Sequence, residues 1–435
     1  MESTPTLFAP ASGFGRAAIA VLRLTGPACG PLLSALAGGC PPPRRLSLRT
    51  LRDPGSGEIL DRALVAWLPG PATYTGEDMA ELHLHGGLAV RAGVIRALAA
   101  FPGCRAAEPG AFTRRAVLNG RLDLTEAEGI GDLIDAETEA QRRQALRQLD
   151  GTLARQVASW RARAIDCLAG AEAALDFSDE GDVDDAGLDA ALLTRAAALR
   201  DEIAAALRDD RRGERLREGF CVVLAGAPNA GKSTLLNALS RRDAAIVSDL
   251  PGTTRDMIEV RCDLGGLPVV LVDTAGLRET EDRIEAEGIR RTRARMASAD
   301  LVLHLTPADA PAEADPDRSE RGLAVTTKSD LAPERGKGLC VSALSGQGLD
   351  RLLDAIEARA RADLGGGDAL ITRERHRAAL ARCVASLDRV VAGAPLPELV
   401  AEDLRLAVRA LGEVGGHVGV EEMLDHLFTG FCIGK

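Results

Sequence analysis

The stretch Gly226–Ser233 reads "GAPNAGKS", with G-x-x-x-x-G-K-S spacing, between the apolar run "FCVVLA" and the helical run "TLLNALSRR". In that setting the motif is a phosphate cradle. The backbone across Asn229, Ala230, Gly231, Lys232, Ser233 and Thr234 turns its N–H groups toward the phosphates. Lys232 adds a point charge, Ser233 offers a hydroxyl to Mg2+, and the helix that follows contributes its positive end.

Three further stations follow in order. "PGTTRD" supplies Thr254, placed to close over a γ-phosphate and complete a magnesium shell. Thr253 stands beside it, and Ser248, Asp249, Leu250, Pro251 and Gly252 lead into the same stretch. "DTAG" ends a strand, so that Asp273 can hold a metal-bound water and Gly276 can sense the γ-phosphate, with Thr274 and Ala275 between them. "TKSD" puts Thr327, Lys328 and Asp330 at another strand end, where Asp330 can accept both guanine N–H donors. Ser342 and Ala343 of "SAL" can contact the guanine carbonyl. Adenine leaves such a carboxylate unmatched, so the pocket is expected to prefer GTP. Most GTPases carry Asn where Thr327 stands, and that amide ties the base pocket to the phosphate loop. Thr keeps a hydroxyl but loses bidentate reach. The signal-recognition-particle GTPases are similar in using Thr here.

Ras-like enzymes orient water with a Gln directly after "DTAG" and neutralise charge with an arginine finger. Here Leu277 holds the Gln position and can do neither. Asn229 and the oxygens of "SDLPGTT" (residues 248–254) can hold a monovalent cation in place of the finger. Downstream, "LRETEDRIEAEGI" carries Glu279, Glu281, Asp282, Glu285 and Glu287. Periodicity does not separate a functional carboxylate there from a solvated helical face.

The last residues, "FTGFCIGK", carry aromatics, a thiol and a cation where a chain end ordinarily frays. Cys432 is a candidate nucleophile or acid, or else a buried apolar residue. His83 and His85 lie two apart on one strand face and can chelate a metal, but without a third ligand packing at the turn is preferred. The 9 cysteines are scattered singly with no C-x-x-C pair, which points to reduced thiols, most of them buried. A formal net charge of -11 argues against a large bare footprint on nucleic acid while leaving room for a local basic patch. The N-terminus has no basic leader, and no apolar run approaches the roughly 18 residues of a membrane span, so the cytoplasm is the expected compartment.

These residues need elements to position them. "AAIAVLRL", "RALVAWL" and "AELHLHGG" read as strands and "RAGVIRALAA" as a helix, a mixed α/β unit. From "DLTEAEGIGDL" the pattern turns helical, broken once by the acidic "DFSDEGDVDD", a solvated connection. After residue 219 strands and helices alternate as in a doubly wound parallel sheet. Past "DLGGGDAL" helices return. The expected architecture is multidomain, α/β plus all-α. An N-terminal α/β domain spans 1–118. A central helical domain is built from two chain segments, 119–215 and 363–435, and a Ras-like P-loop domain is inserted at 216–362.

"PGTTRD", "DTAGLRE", "YTGEDMAELHLHGG", "EPGAFTRRAVLNGRLDLTEAEGIGDLIDAET" and above all the terminal "FCIGK" resemble the MnmE (TrmE) family, the wobble-uridine modification GTPases of tRNA. The resemblance covers essentially the whole chain. It implies an N-terminal domain similar to folate-dependent aminomethyltransferases, which binds 5-formyl- or 5,10-methylene-tetrahydrofolate and forms a homodimer. It implies potassium-stimulated G domains that pair across their switches during hydrolysis. It also implies a flavoprotein partner, MnmG, that brings FAD and NADH and joins it in a heterotetramer. Together they would install an aminomethyl or carboxymethylaminomethyl group at C5 of the wobble uridine.

Matched position by position, the family's potassium ligands fall on Asn229, Ser248, Leu250 (through its carbonyl) and Thr253, and its magnesium ligands on Ser233 and Thr254. Its water-orienting glutamate falls on Glu285. Its folate contacts fall on Arg23, Glu81, Arg121 and Lys435. Ser248 stands where Thr is usual and Arg121 where Lys is usual, each keeping the oxygen or charge, and "SGFG" replaces a Pro-Gly-rich turn. A tail folded back on the scaffold would deliver Cys432 and Lys435 to the folate pocket. Two other readings stay open. A ribosome-assembly GTPase switch predicts a Lys/Arg-rich RNA module, and a stand-alone one-carbon transferase predicts activity without the flavoprotein.

Overall fold

The computed structural model describes the chain outside residues 1–3, 14, 177–189, 210, 243, 247–258, 274–296, 310–320, 333–337, 366–368, 393–396, 418–426, 429, 432 and 435. The chain forms two compact units, residues 1–131 with 411–435 and residues 132–410. The acidic insert expected as a solvated connection lies almost wholly outside the described residues.

The first unit contains β1 (Thr6–Pro10), β2 (Ile19–Thr25), α1 (Cys29–Ala37), β3 (Ser47–Arg52), β4 (Ile59–Leu68), β5 (Met79–His85), α2 (Leu88–Ala100), β6 (Cys104–Ala106) and α3 (Ala111–Leu118). The helix α4 (Leu124–Asp135) begins in it. The strands form one sheet in the order β3-β4-β5-β2-β1-β6, antiparallel throughout except for the parallel β1–β6 pair. Side chains alternate along a strand. Leu22, Leu24, Leu82 and Leu84 therefore enter a core with Leu32, Leu33, Val94 and Leu98 of α1 and α2. The intervening residues Arg23, Glu81 and His83 stay partly exposed on the other face.

The C-terminal residues pack within this same unit. Phe428 is buried with Leu124 and Ala127, and its ring meets that of Phe431 edge-on at 5.1 Å. Gly434 has φ of 97°, and a Cβ on it would fall 2.0 Å from the carbonyl oxygen of Pro10. Backbone thus lies against backbone at the end of β1, which only glycine permits.

The second unit holds α5 (Glu139–Leu149), α6 (Thr152–Asp176), α7 (Ala190–Leu207), α8 (Arg212–Glu218), β7 (Phe220–Ala225), α9 (Lys232–Leu239), β8 (Glu259–Leu264), β9 (Leu267–Asp273), β10 (Leu301–Pro307), β11 (Gly322–Thr327) and β12 (Leu339–Cys340). Three further helices follow, Leu349–Leu364, Glu374–Ala392 and Pro397–Gly415, the last ending in the first unit. Thr138 and Gln141 start α5 with a reciprocal capping box. Helices from either side of the α/β segment pack together: α7 lies along Glu374–Ala392, and Thr372 donates its hydroxyl to Gln148 at 2.6 Å.

The sheet of this unit runs β12-β11-β10-β7-β9-β8. Five strands are parallel, and the central three, β7, β9 and β10, are apolar runs buried on both faces for most of their length, while β11 and β12 toward the edge are only partly buried. At the edge β8 is antiparallel to β9. Gly265 and Gly266, at φ of 59° and 84°, form a two-residue turn that reverses the chain directly. Of the described cysteines, Cys29, Cys167, Cys262 and Cys383 are buried, and burial pushes the thiols of Cys262 and Cys383 up to about 11 and about 12.

Candidate functional site

β7 delivers the chain into the phosphate loop, and α9 begins at its far side. Asn229 sits at φ of 65°, a left-handed conformation that Asn tolerates better than most residues, at an exposed point of the loop. The Lys232 ammonium donates to the carbonyls of Gly226 and Ala227 at 2.9 and 3.1 Å, spanning the loop from within. Ala230 is buried and Thr234 exposed, on either side of that lysine. The Ser233 hydroxyl donates to Asp273 Oδ2 at 2.5 Å. Two hard oxygen donors from α9 and the end of β9 are thereby held side by side, a donor set that suits Mg2+.

The loop that leaves β11, expected on the base side, is anchored twice. Thr327, buried, donates its hydroxyl to the carbonyl of Ala230 at 2.6 Å. The hydroxyl that replaces the usual amide therefore does tie this loop to the phosphate loop. The Ser329 N–H donates to the Val341 carbonyl at 3.1 Å, fixing the loop to the segment that carries Ser342 and Ala343. Lys328 has φ of 55° and reaches Asp309 at 3.3 Å, while Asp330 is exposed. Ser342 is fully buried, and its hydroxyl accepts from the Ser345 N–H at 3.2 Å, which shapes the following turn.

In the first unit, Arg23 and Glu81 face each other across β2 and β5. Arg23 Nη2 donates to Glu81 Oε1 at 3.0 Å, with a quarter of the arginine side chain exposed, so the pair is sheltered yet reachable. His83 Nε2 lies 3.3 Å from the other Glu81 oxygen, while His85 pairs with Asp61 at 2.7 Å. The two histidines thus engage different carboxylates. Among the described residues no cluster of three His, Cys, Asp or Glu is placed to hold a metal.

Arg121 lays its aliphatic stem against Gly76, in the loop that carries Tyr74. Tyr74 donates or accepts at Thr113 over 2.8 Å; burial raises its pKa, while the bond to Thr113 and the charge of Arg23 oppose the rise. Sequence reasoning overlooked both Tyr74 and the His83–Glu81 contact. Tyr74 is the chain's 1 tyrosine, a rarity that was the available signal.

Ser248, Asp249, Leu250, Pro251, Gly252, Thr253, Thr254, Thr274, Ala275, Gly276, Glu285, Cys432 and Lys435 lie outside the described residues.

Residues 124–432 match the family model for the MnmE helical domain, and residues 6–121 match that for the GTP-binding protein TrmE N-terminus. The chain belongs to the MnmE family. The tRNA modification GTPase MnmE of Methylorubrum populi is 77% identical over 99% of this chain and 98% of its own length. The MnmE of Methylobacterium radiotolerans is 72% identical over 100% of both chains. That of Rhodospirillum rubrum is 52% identical over 99% of each. The phosphate loop, Asp273 and the Thr327 loop are assembled at one end of one sheet. No described helix is long and apolar enough to cross a membrane.

Proposed function

We propose that this chain hydrolyses GTP and, with the flavoprotein MnmG, uses that cycle to attach an aminomethyl or carboxymethylaminomethyl group to C5 of the wobble uridine of tRNA. The observation that carries the reading is the direct tie between Thr327 and Ala230, which couples the base-side loop to the phosphate loop. Asp330, exposed beside it, selects guanine through its two N–H donors. Lys232 turns from the loop carbonyls to the phosphates. Ser233, with Thr254, holds Mg2+, which neutralises charge on the phosphate oxygens. Asn229, Ser248, the Leu250 carbonyl and Thr253 hold K+, which supplies the positive charge that an arginine finger gives elsewhere. Glu285 orients the attacking water.

In the first unit, Arg23, Glu81, Arg121 and Lys435 bind the tetrahydrofolate, the source of the one-carbon unit. The half-buried carboxylate of Glu81 suits pterin N–H donors, and Arg23 and Arg121 suit the glutamate tail. The packing of Phe428 and Gly434 supports a tail that closes back on this unit. The working division is a folate-binding and dimerisation domain at 1–118, a helical domain at 119–215 and 363–435, and a G domain at 216–362, acting as a homodimer in the cytoplasm.

Steady-state hydrolysis in potassium and in sodium salts tests the cation assignment. The rate is expected to rise severalfold in potassium, and Glu285→Ala to slow turnover with GTP affinity kept. Equal rates in the two salts reject it.

A further inference from the structure

A cavity of about 530 Å³ opens in the second unit away from the phosphate loop. Arg208, Arg212, Arg215, Arg321 and Arg359 line it. They come from the end of α7, from α8, from the entry to β11 and from helix Leu349–Leu364. Guanidinium groups keep their charge in any protein environment, so gathering them in one concavity is unfavourable unless anions compensate.

Each carboxylate at the cavity already has a guanidinium beside it, although the second oxygen of Asp209 is buried without a hydrogen-bond partner. Asp209 accepts from Arg377 at 2.6 Å, and Asp363 lies 3.9 Å from Arg215, which also reaches Asp300 at 3.3 Å. Among the described residues Arg208, Arg212, Arg321 and Arg359 make no ion pair, and the buried Nε of Arg212 has no hydrogen-bond partner. An excess of positive charge with unused planar donors therefore faces a water-accessible hollow.

Its place separates it from the nucleotide site. α8 leads into the start of β7, and Arg321 immediately precedes β11, whereas Lys232 lies past the opposite end of β7 and Thr327 closes the opposite end of β11. A six-residue strand puts on the order of 17 Å between the two.

We propose that this cavity is a second anion site, which takes a small polyphosphate through bidentate guanidinium contacts. Its volume falls in the range of roughly 300–1,000 Å³ common for small-ligand pockets. Its arginines converge on one hollow, where an extended nucleic-acid backbone needs cations strung along a path. A ligand there clasps α8 to helix Leu349–Leu364 and so braces the base of the strand that feeds the phosphate loop.

The test is calorimetric titration of the full chain with sodium tripolyphosphate at low ionic strength, its nucleotide site saturated with GDP and Mg2+. One additional site is expected. The double substitution Arg212→Gln with Arg359→Gln should weaken it at least about tenfold, as the loss of charge-assisted hydrogen bonds requires, while GDP affinity stays the same. Arg321→Gln, at an exposed position, should weaken it severalfold and guards against a folding defect in the double variant. ATP titrated in parallel separates a nucleotide-borne polyphosphate from a free one, and uptake of either supports the site. No uptake, or equal uptake by the double variant, overturns it. If neither polyphosphate binds but tRNA affinity falls in the same variants, the occupant is an RNA backbone and the small-anion assignment is overturned.

Discussion

The hydroxyl of Thr327 lies 2.6 Å from the carbonyl oxygen of Ala230, so the loop that leaves β11 and the phosphate loop are joined by a buried hydrogen bond. Most GTPases make the connection with an amide, and here a β-branched alcohol, stiff at χ1, makes it.

Thr327→Val keeps the shape and removes the donor, leaving a buried carbonyl unsatisfied. GDP affinity is expected to drop by about 1–3 kcal/mol, roughly five- to 150-fold. Thr327→Ser is expected to keep most of it. Equal affinities for the Val variant and the natural chain, measured by calorimetry, would show that the bond does not support the pocket.

Gly434 permits a close approach of the tail to the sheet, and a Cβ there would strike the Pro10 carbonyl at 2.0 Å. Ala9, one residue before Pro10, pairs with Arg23 in the sheet. Gly434→Ala is therefore expected to lift the tail from the Arg23–Glu81 neighbourhood. Nucleoside analysis should show lost tRNA modification while GTP turnover persists. Unchanged modification would place the tail outside the one-carbon site.

Glu214 is 3% exposed and accepts from Arg377 and Arg211, each at 2.6 Å. Burial alone would raise its pKa, but the two guanidiniums outweigh it and hold the carboxyl below its ordinary value. A folded-state pKa below the unfolded one contributes stability above the unfolded value, and that contribution is lost as pH falls through the folded value. The melting temperature is expected to fall steeply below about pH 5. Glu214→Gln should start lower at neutral pH and fall less steeply. Parallel curves for the two proteins would mean that the pair does not drive acid unfolding.

Much of this was legible in residue order. The alternation in "MAELHLH" placed Glu81 and His83 on one face of β5, and the apolar run "FCVVLA" followed by glycines announced β7 and the phosphate loop. What periodicity leaves open is register. Arg23 and Glu81 are 58 residues apart and meet because β2 and β5 pair at that offset. The direction of β8 depended on the Gly265–Gly266 turn, whose positive φ angles a strand pattern does not disclose. β3 was missed because "SLRTLR" is only partly buried and shows weak contrast between its faces. The arginine cavity was invisible for a similar reason, since its members are spread from Arg208 to Arg359 and each reads as an ordinary surface cation.

On the proposed function, GTP hydrolysis in this chain drives chemistry on the wobble uridine. The direct measurement is mass spectrometry of nucleosides from unmodified tRNA incubated with the purified chain, the flavoprotein with FAD and NADH, a one-carbon tetrahydrofolate, potassium and GTP. A C5-substituted wobble uridine is expected, and it should be absent when a non-hydrolysable GTP analogue replaces GTP or when the flavoprotein is left out. Equal product with the analogue, or no product with all components present, would contradict it.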